Sequence, residues 1–312
     1  MDKPLIVLGS VNADHILQVQ DFPRPGETIT GHGYQVVGGG KGANQAVAAA
    51  RLGAKVRFIA AIGNDDTGQR MKAGYEADGI DTSTISVENV PTGIAIIYIN
   101  AKGENCIGIS AEANALLDES RVQPHLAAIR QAGALIMQLE TPLSGCMLAA
   151  EAACEAGVPV ILNPAPAKEL PDDFLQYIDI ITPNETEAEV LTGIAVTDEA
   201  AAAEAAEILH GKGIGTVVIT LGSRGAFLSE VTDEGTAQQL IPGYRVEAVD
   251  TTAAGDTFNA GLMVGLLEGK TLAQAMPFAH AAAALSVTRL GAQTSIPKRE
   301  EVLGFLEREN SL

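Results

Sequence analysis

The sequence predicts an α/β protein whose core is a parallel β-sheet between two layers of helices, a three-layer α/β/α arrangement, with a small second β-sheet beside it. Short apolar runs alternate with Ala-rich helical segments in the middle of the chain, and this succession builds a parallel sheet with right-handed crossovers. Two stretches with strand-like alternation stand outside it, at residues 14–38 and 92–110. With 312 residues, 46% of them hydrophobic, the chain can bury a large core, and we expect one domain over residues 1–312.

The core elements follow in chain order from apolar runs and helical periodicity. A buried strand at residues 5–9 ends in glycine, which suits a parallel strand whose end opens onto a site. The glycine-rich stretch 38–42 opens a helix at 43–52, which Gly53 ends. Further strands are predicted at 134–137, 158–162, 178–181 and 216–219, and further helices at 118–131, 144–156, 198–210, around the apolar run 258–267, and at 271–289.

The stretches 14–38 and 92–110 are expected to pair as the small sheet. Prolines and glycines divide the first into short pieces without a helical period. The second has two apolar runs, 94–99 and 106–109, on either side of the turn 100–105, which is a hairpin signal. Because apolar residues lie on both faces of this hairpin, we expect a second subunit to cover its outer face.

Composition excludes several classes of partner. The formal net charge of −19 would repel a nucleic acid or an anionic membrane, and no apolar run reaches membrane-spanning length. The apolar run near the N-terminus is too short for a signal peptide. Cys106, Cys146 and Cys154 suggest neither a disulfide framework nor a zinc site. We therefore expect a cytoplasmic protein that binds neither nucleic acid nor membrane.

The strongest chemical signal is the stretch 250–261, which reads as a loop that turns into a helix. The small residues Ala253, Ala254 and Gly255 leave backbone N–H groups uncovered at the start of this helix, where an anion is stabilised. Asp256 lies in the first turn, so a carboxylate stands beside an anion-binding site. This pairing suits phosphoryl transfer with Asp256 as the proton acceptor. The alternative is that Asp256 only caps its own helix.

Polar residues also follow the predicted strand ends, where ligands bind in parallel α/β sheets. Asn12 and Asp14 are two apart and share one face of an extended chain. Lys41 and Asn44 lie one helical turn apart beside the glycine-rich stretch, as donors to a ligand that approaches bare backbone. Each pair has a purely structural alternative, an Asx turn for the first and a tight strand-to-helix connection for the second. The glycine pattern is not a Walker loop, since neither Ser nor Thr follows Lys41.

Five segments of the chain resemble the signatures of the ribokinase-like (PfkB) carbohydrate kinases. They are residues 9–14, residues 39–46 with Gly53 and Gly63, residues 182–187, residues 220–225 and residues 250–261. The resemblance covers essentially the whole chain. It implies a kinase that transfers the γ-phosphoryl group of ATP to the O5 hydroxyl of D-ribose. It also implies that the small sheet is a lid over the sugar and that the protein is a homodimer through this lid.

The resemblance assigns roles to individual residues. The sugar is expected to contact Asn12, Asp14, Gly40, Lys41, Asn44, Glu140 and Asp256, with Asp256 as the catalytic residue and Ala253, Ala254 and Gly255 as the anion hole. ATP is expected to contact Asn184, Thr220, Leu221, Gly222, Ser223, Arg224, Gly225, Gly255 and His280. Glu187 is expected to hold Mg²⁺ through water. On the sequence alone, Asn184 and Glu187 also fit a plain helix cap, and His280 also fits a packed helix residue.

A potassium site is the last feature that the resemblance implies. Its ligands are expected to be mostly backbone oxygens of Asp250, Thr252, Ser286, Arg289, Gly291 and Ser295. Thr252 and Ser286 depart from the family pattern, in which a larger aliphatic residue and an alanine are expected. An ordinary surface connection is the alternative for the loop 289–295.

Three other functions stay open. The acceptor is a different small molecule in one of them, such as 2-deoxyribose, fructose or a nucleoside, although 4% aromatic residues and no Trp disfavour a nucleoside. A Rossmann dehydrogenase is disfavoured because Gly9–Asp14 lacks the Gly-x-Gly-x-x-Gly pattern. A non-catalytic sugar-binding regulator on the same scaffold would have no need of Asp256.

Overall fold

Strands make up two separate sheets in the computed structural model, which describes residues 3–309 and 311. In chain order the strands of these residues are β1 (Leu5–Leu8), β2 (Asn12–Gln18), β3 (His32–Gly39), β4 (Val56–Gly63), β5 (Ile85–Glu88), β6 (Gly93–Ile99), β7 (Asn105–Ser110), β8 (Ala134–Met137), β9 (Val160–Leu162), β10 (Ile180–Ile181), β11 (Thr216–Thr220), β12 (Ala226–Thr232) and β13 (Gly235–Ile241). The main sheet has nine of them, in the order β13-β12-β11-β10-β9-β8-β1-β4-β5.

Seven neighbouring strands of the main sheet, from β5 to β11, are parallel. The short apolar sequences of the inner strands are buried on both faces, as is typical of strands joined by crossover helices, whereas the edge strand β5 exposes Val87. Beyond β11 the pairing changes, because β12 and β13 form an antiparallel hairpin at the edge. This hairpin was not predicted, and neither was β5 at the opposite edge.

Helices cover both faces of the main sheet. They are α1 (Lys41–Arg51), α2 (Asp66–Ala77), α3 (Glu119–Val122), α4 (Leu126–Ile129), α5 (Leu143–Glu155), α6 (Asp172–Leu175), α7 (Glu185–Thr192), α8 (Glu199–Gly211), α9 (Ala254–Leu267), α10 (Leu272–Val287) and α11 (Arg299–Glu309). Side chains of β1 alternate between two apolar clusters. Leu5 and Val7 pack with residues of α1, α9 and α10, whereas Ile6 and Leu8 pack with residues of α5 and α8. The predicted three-layer α/β/α class is therefore confirmed.

Helix boundaries agree with the prediction where a cap is present, and one predicted helix is wrong. Asp198 and Thr271 cap α8 and α10 through their side chains, each within a residue of the predicted start. The single helix predicted at 118–131 is instead broken into α3, a 3₁₀ turn at Gln123–His125 and α4. Pro124 lies in that turn, and proline interrupts the hydrogen-bond ladder of a continuous helix.

The two strand-like stretches pair as predicted into a four-stranded sheet, in the order β3-β2-β6-β7. The β6–β7 hairpin turns at residues 100–104, and β2 joins β6 in parallel. Apolar side chains are exposed on both of its faces. Ile96 shares a face with Val36, whereas Ile107 and Ile109 share the face of Asp14. Both faces of the small sheet therefore expose apolar side chains in a single chain, although Asp14 and Ala95 on one face are buried.

The topology brings the chemistry-bearing segments to one edge of the main sheet. The carboxyl ends of β1, β8, β10 and β11 lead into the segments that carry Asn12, Glu140, Asn184 and Gly222. Ligands of open parallel sheets bind at this edge. Among the described helices, none is both long and apolar enough to cross a membrane.

Candidate active site

The helix α9 begins without a side-chain cap. Ala253 precedes it with φ at 60°, a left-handed conformation that is costly for a residue with a Cβ and that often marks a functional site. Among the described residues, the backbone N–H groups of Gly255 and Asp256 have no hydrogen-bond partner, whereas that of Ala254 donates to the Thr251 oxygen at 3.2 Å. Donors therefore remain for an anion at the positive end of α9, and Asp256 contributes one that was not predicted.

The carboxylate of Asp256 is buried and held from the neighbouring helix. Asn44 Nδ2 donates to Oδ2 at 3.0 Å, and Gln45 Nε2 donates to Oδ1 at 3.0 Å. Both donors lie in the first turns of α1, which packs against α9. Because both carboxylate oxygens accept from α1, the alternative that Asp256 only caps its own helix is not what the structure has.

Asp256 belongs to a group of polar side chains that we call the carboxylate cluster, defined as Asn12, Asp14, Lys41, Asn44, Glu140 and Asp256. Lys41 is its cation. Burial lowers the pKa of the Lys41 ammonium, but the charges of Asp256, Glu140 and Glu187 outweigh burial and raise the pKa above its ordinary value. Lys41 is therefore a firmly protonated donor among carboxylates.

Asp14 is the most perturbed acid of the carboxylate cluster. Burial, together with the charges of Glu140 and Asp256, raises the pKa of its carboxyl to about 7. The carboxyl lies against Gly39, where an added Cβ would stand 2.0 Å from Oδ2. Next along the chain, Gly40 has φ at 89°, and a Cβ there would stand 2.7 Å from the Asn12 nitrogen. The two glycines thus let β3 approach β2 closely, which accounts for the glycine-rich stretch.

Glu140 closes the carboxylate cluster on the side of the main sheet. Its Oε2 accepts from Ser10 Oγ at 2.5 Å and from the Lys41 backbone nitrogen at 3.1 Å. Glu140 therefore ties the segment after β1 to the start of α1. The structure brings together all six residues of the carboxylate cluster, with Gly40 beside them, as the sequence predicted.

Two amide side chains that support this cluster were not predicted. Asn114, 1% exposed, donates to Asn12 Oδ1 at 2.8 Å and exchanges hydrogen bonds with the backbone of Val11. Gln45 holds Asp256 from the other side. Single neutral amides have no sequence signature, and Asn114 reaches Asn12 from 102 residues away along the chain.

A cavity of about 570 Å³ reaches Ala254 and Gly255, the two residues before Asp256, and lies between β11, α9 and α10; we call it the α9–α10 cavity. This volume suits a ligand of nucleotide size. Among the residues predicted to contact ATP, those that line it are Thr220, Gly222, Ser223, Arg224, Gly225, Gly255 and His280. Its opposite wall was not predicted and consists of Gly243, Tyr244, Arg245, Val246 and Ala248.

Two predicted ATP residues stand apart from this lining. Leu221 is buried in an apolar cluster, so its side chain is part of the core. Asn184 caps α7, with its side chain accepting from Glu187 N at 2.8 Å and Glu187 accepting from Asn184 N at 2.9 Å. This reciprocal capping box is the helix cap that the sequence analysis gave as the alternative for Asn184 and Glu187. The side-chain nitrogen of Asn184, Nδ2, takes no part in the cap. Burial raises the pKa of Glu187.

His280 faces the α9–α10 cavity as a neutral ring. Burial lowers the pKa of its imidazole to about 4, and its Nε2 has no hydrogen-bond partner among the described residues. The ring packs on Phe258 with centroids 5.0 Å apart. A buried ring nitrogen without a partner is costly, so a ligand in the cavity is a natural partner for it.

The segments predicted to surround potassium are joined by hydrogen bonds. Gly291 N donates to Asp250 Oδ2 at 2.8 Å, and Thr252 N donates to Asp250 Oδ1 at 2.9 Å. The Asp250 nitrogen in turn donates to Val287 O at 3.2 Å. The six predicted residues are therefore in connected segments. The guanidinium of Arg289 points elsewhere and pairs with Glu301.

The carboxylate cluster includes Asp256 and the α9–α10 cavity includes Gly255, so the two regions meet at the uncapped start of α9. An acid beside such an anion-binding helix end on an α/β fold is typical of a phosphotransferase. Comparisons with known proteins give the family. The model described as pfkB family carbohydrate kinase matches residues 2–299. The chain therefore belongs to the pfkB family of carbohydrate kinases.

Individual relatives match over nearly the full length. A ribokinase of Haemophilus influenzae is 55% identical over 308 residues, which are 98% of this chain and 99% of the relative. A deoxyribokinase of Salmonella typhi is 35% identical over 306 residues, 97% of this chain and 98% of its own. Among solved structures, Arabidopsis thaliana ribokinase complexed with ribose and ATP superposes with a TM-score of 0.91 at 37% identity, covering 98% of this chain and 99% of that one.

Proposed function

We propose that this protein phosphorylates D-ribose at O5 with ATP as the donor, giving D-ribose 5-phosphate and ADP. The observation that carries the proposal is the position of Asp256, a buried carboxylate that accepts from Asn44 in the carboxylate cluster and directly follows Gly255, which lines a nucleotide-sized cavity. Ribokinases related over nearly the whole chain support ribose as the acceptor.

The carboxylate cluster binds the sugar in this proposal. Asp14, Glu140 and Asn12 offer acceptors to ring hydroxyls, while Lys41 donates. Asn44 has a buried Oδ1 without a partner, and a sugar hydroxyl would satisfy it. The open hydrogen-bonding capacity of this cluster therefore matches a small polyhydroxylated ligand.

The proposed reaction takes place at the N-terminal end of α9. Asp256 accepts the proton of the O5 hydroxyl as that oxygen attacks the γ-phosphorus in line with the departing ADP oxygen. The N–H groups of Gly255 and Asp256 stabilise the charge that spreads over the phosphoryl oxygens, and each such donor is worth roughly 3 kcal/mol in comparable sites. Positioning and charge neutralisation supply most of the acceleration in phosphoryl transfer.

ATP is expected to lie in the α9–α10 cavity, with its adenine near His280 and its phosphates toward Gly255. Mg²⁺ would neutralise phosphate charge. Glu187 is the acid placed to hold it through water, because its charge also interacts with Lys41 and Asp256.

Potassium is proposed to bind between the loops 250–252 and 286–295. Burial raises the pKa of the Asp250 carboxyl, but the hydrogen bonds from Thr252 and Gly291 outweigh burial and hold the pKa below its ordinary value. The ionised carboxylate fixes the two loops, so that their carbonyl oxygens are available to a cation. An ion there would steady Ala253, which opens α9.

The small sheet, made of residues 12–18, 32–39, 93–99 and 105–110, is proposed as the lid. It carries Asp14 on one face, and its exposed isoleucines support a lid-to-lid homodimer.

The three cysteines are free thiols, which supports the reducing cytoplasm as the compartment.

An acceptor panel tests the proposal. ADP release is measured with ribose, 2-deoxyribose, fructose and adenosine, with potassium or with sodium, and the phosphorylated carbon is located by ³¹P-coupled NMR. We expect the highest kcat/KM for ribose, phosphate on O5 and stimulation by potassium. A higher kcat/KM for 2-deoxyribose would make the protein a deoxyribose kinase, and sugar binding without any turnover would make it a regulator.

A further inference from the structure

Gln45 is buried beside the catalytic carboxylate and makes three hydrogen bonds. It is 1% exposed. Its Nε2 donates to Asp256 Oδ1 at 3.0 Å and to Asn163 Oδ1 at 3.1 Å, and its Oε1 accepts from Gln138 Nε2 at 2.5 Å. Both amide protons and one acceptor position are thus used.

The carboxylate fixes which end of the amide faces Asp256. An ionised carboxylate only accepts, so Gln45 must turn its nitrogen toward Asp256 and its oxygen toward Gln138, which then donates through its own nitrogen. Gln138 is itself fully buried, and its Oε1 has no partner among the described residues.

The hydrogen bonds continue from Gln45 back to the start of α9. Asn163 Nδ2 donates to the Thr182 oxygen at 3.2 Å, and Thr182 Oγ1 donates to Asn259 Oδ1 at 2.7 Å. Asn259 Nδ2 then donates to Gly255 O at 2.9 Å. One neutral network therefore holds both the carboxylate of Asp256 and the backbone of the residue before it.

The two donors to Asp256 differ in what else they contact. Asn44 holds Oδ2 and keeps a free acceptor, as a residue that also meets the substrate would. Gln45 holds Oδ1 and is committed entirely to protein partners. We infer that Gln45 is a positioning residue for catalysis: it anchors Oδ1 of Asp256, so that Oδ2 is presented to the acceptor hydroxyl. This inference rests on the proposed function.

The test replaces Gln45 by methionine, which keeps the side-chain length and removes the donor. We expect kcat to fall by about 10- to 100-fold, the range of a misplaced catalytic group, while KM for ribose and ATP changes little. The acid limb of the kcat profile should move to higher pH, because a donor that stabilises the ionised carboxylate is lost. Gln138→Met should shift both quantities in the same direction by less, and it remains available if Gln45→Met does not fold.

The control is Thr84→Val, which removes the buried hydrogen bond from Thr84 Oγ1 to Phe58 O at 2.8 Å, away from the carboxylate cluster. It should leave kcat and the pH profile unchanged. If Gln45→Met and Gln138→Met lower thermal stability like this control but leave the acid limb in place, the residues are only structural and the inference is overturned. Wild-type turnover of ribose is measured alongside, so that failure of the proposed function itself is seen separately.

Discussion

Three carboxylates define the carboxylate cluster, whereas none of the described acids lines the α9–α10 cavity, whose charged side chains are Arg224 and Arg245 among small and apolar residues and one neutral histidine. Asp14 and Asp256 are 7% and 6% exposed, and each contributes a charge that its neighbours must accommodate. The cavity residues Gly222 and Ser223, by contrast, offer backbone at the protein surface. The difference matches the two proposed ligands. A sugar is recognised by side chains that hydrogen-bond to its hydroxyls, whereas phosphates are held by amide N–H groups and cations.

This comparison predicts where substitutions act. Burying several carboxylates together is unfavourable, so their arrangement depends on each neighbour, and small changes there should have large and selective effects. The cavity is reached by the backbone N–H group of Gly255 as well as by side chains, and side-chain truncation does not remove a backbone donor. We therefore expect substitutions in the carboxylate cluster to change kcat and the sugar KM. Substitutions in the α9–α10 cavity should have smaller effects on activity.

The largest effect is expected from Asp256→Asn. The amide cannot accept the hydroxyl proton, and loss of a general base costs about 10²- to 10⁴-fold in kcat. Sugar binding should persist, because Asn12, Asp14 and Glu140 are untouched. Steady-state kinetics and calorimetric ribose titration measure the two quantities.

Asp66→Asn is the matched control, since Asp66 is an exposed acid in the first turn of α2, far along the chain from the site. It should turn over ribose normally. Near-normal kcat in Asp256→Asn would remove the distinction between the two regions, because no acid in the carboxylate cluster would then act as the base.

The next effect is expected from Gly39→Ala. The new Cβ would stand within 2.0 to 2.4 Å of the three carboxyl atoms of Asp14, so that carboxyl must move. A misplacement of this size costs up to roughly 100-fold in comparable sites, and it should appear in the ribose KM and not in the ATP KM.

Gly74→Ala is the control for that change. Gly74 lies inside α2, and a Cβ there meets nothing within 4 Å. It should be neutral or slightly stabilising, since alanine is the better helix former. Equal loss of ribose and ATP affinity in Gly39→Ala would argue for general misfolding and against a local effect on Asp14.

Some elements of the fold could be predicted from the sequence and others could not, because only some of them carry a local signal. Apolar runs and capping residues are local signals, so β1, β8, α8 and α10 were located within one or two residues. The β12–β13 hairpin was missed because β13 is almost entirely exposed and carries no alternation of apolar residues. Pro124 did signal the broken helix at 118–131, and the apolar pattern around it was given too much weight.

The site shows the same division. Strand ends and a glycine-rich loop are readable and led to Asn12, Asp14, Lys41 and Asn44. The small residues before α9 led to Asp256, and the family resemblance added Glu140. Gln45 and Asn114 act through partners from 102 to 211 residues away, which no local pattern encodes. The wall at residues 243–248 has no regular secondary structure, so nothing in its sequence marked it as part of a cavity.

The third expected effect is a pH dependence of the ribose KM that the ATP KM does not share. Asp14, with a pKa of about 7, is largely protonated at pH 6 and largely ionised at pH 8. The ionised carboxylate is the stronger acceptor for sugar hydroxyls, so the ribose KM should fall as pH rises through 7, by up to about tenfold for each pH unit below the pKa. Asp14→Asn should abolish the dependence. An ATP KM that varies with pH in the same way would point to a group shared by both ligands.

The smallest effect on turnover is expected in β6 and β7 of the small sheet, which contribute no residue to the carboxylate cluster or to the lining of the α9–α10 cavity. Ile96 and Ile107 are 43% and 51% exposed on opposite faces, and lysine at both positions in one double variant should break a lid-to-lid dimer, because an unpaired buried charge is strongly unfavourable. Analytical ultracentrifugation should show a monomer, with kcat changed little, since Asp256 and its donors lie in the main sheet and its helices. Val231→Lys, at the exposed end of β12, is the matched control and should leave the sedimentation coefficient unchanged. If the double variant sediments like the wild type, the isoleucines do not form the subunit contact, and the lid must act within one chain.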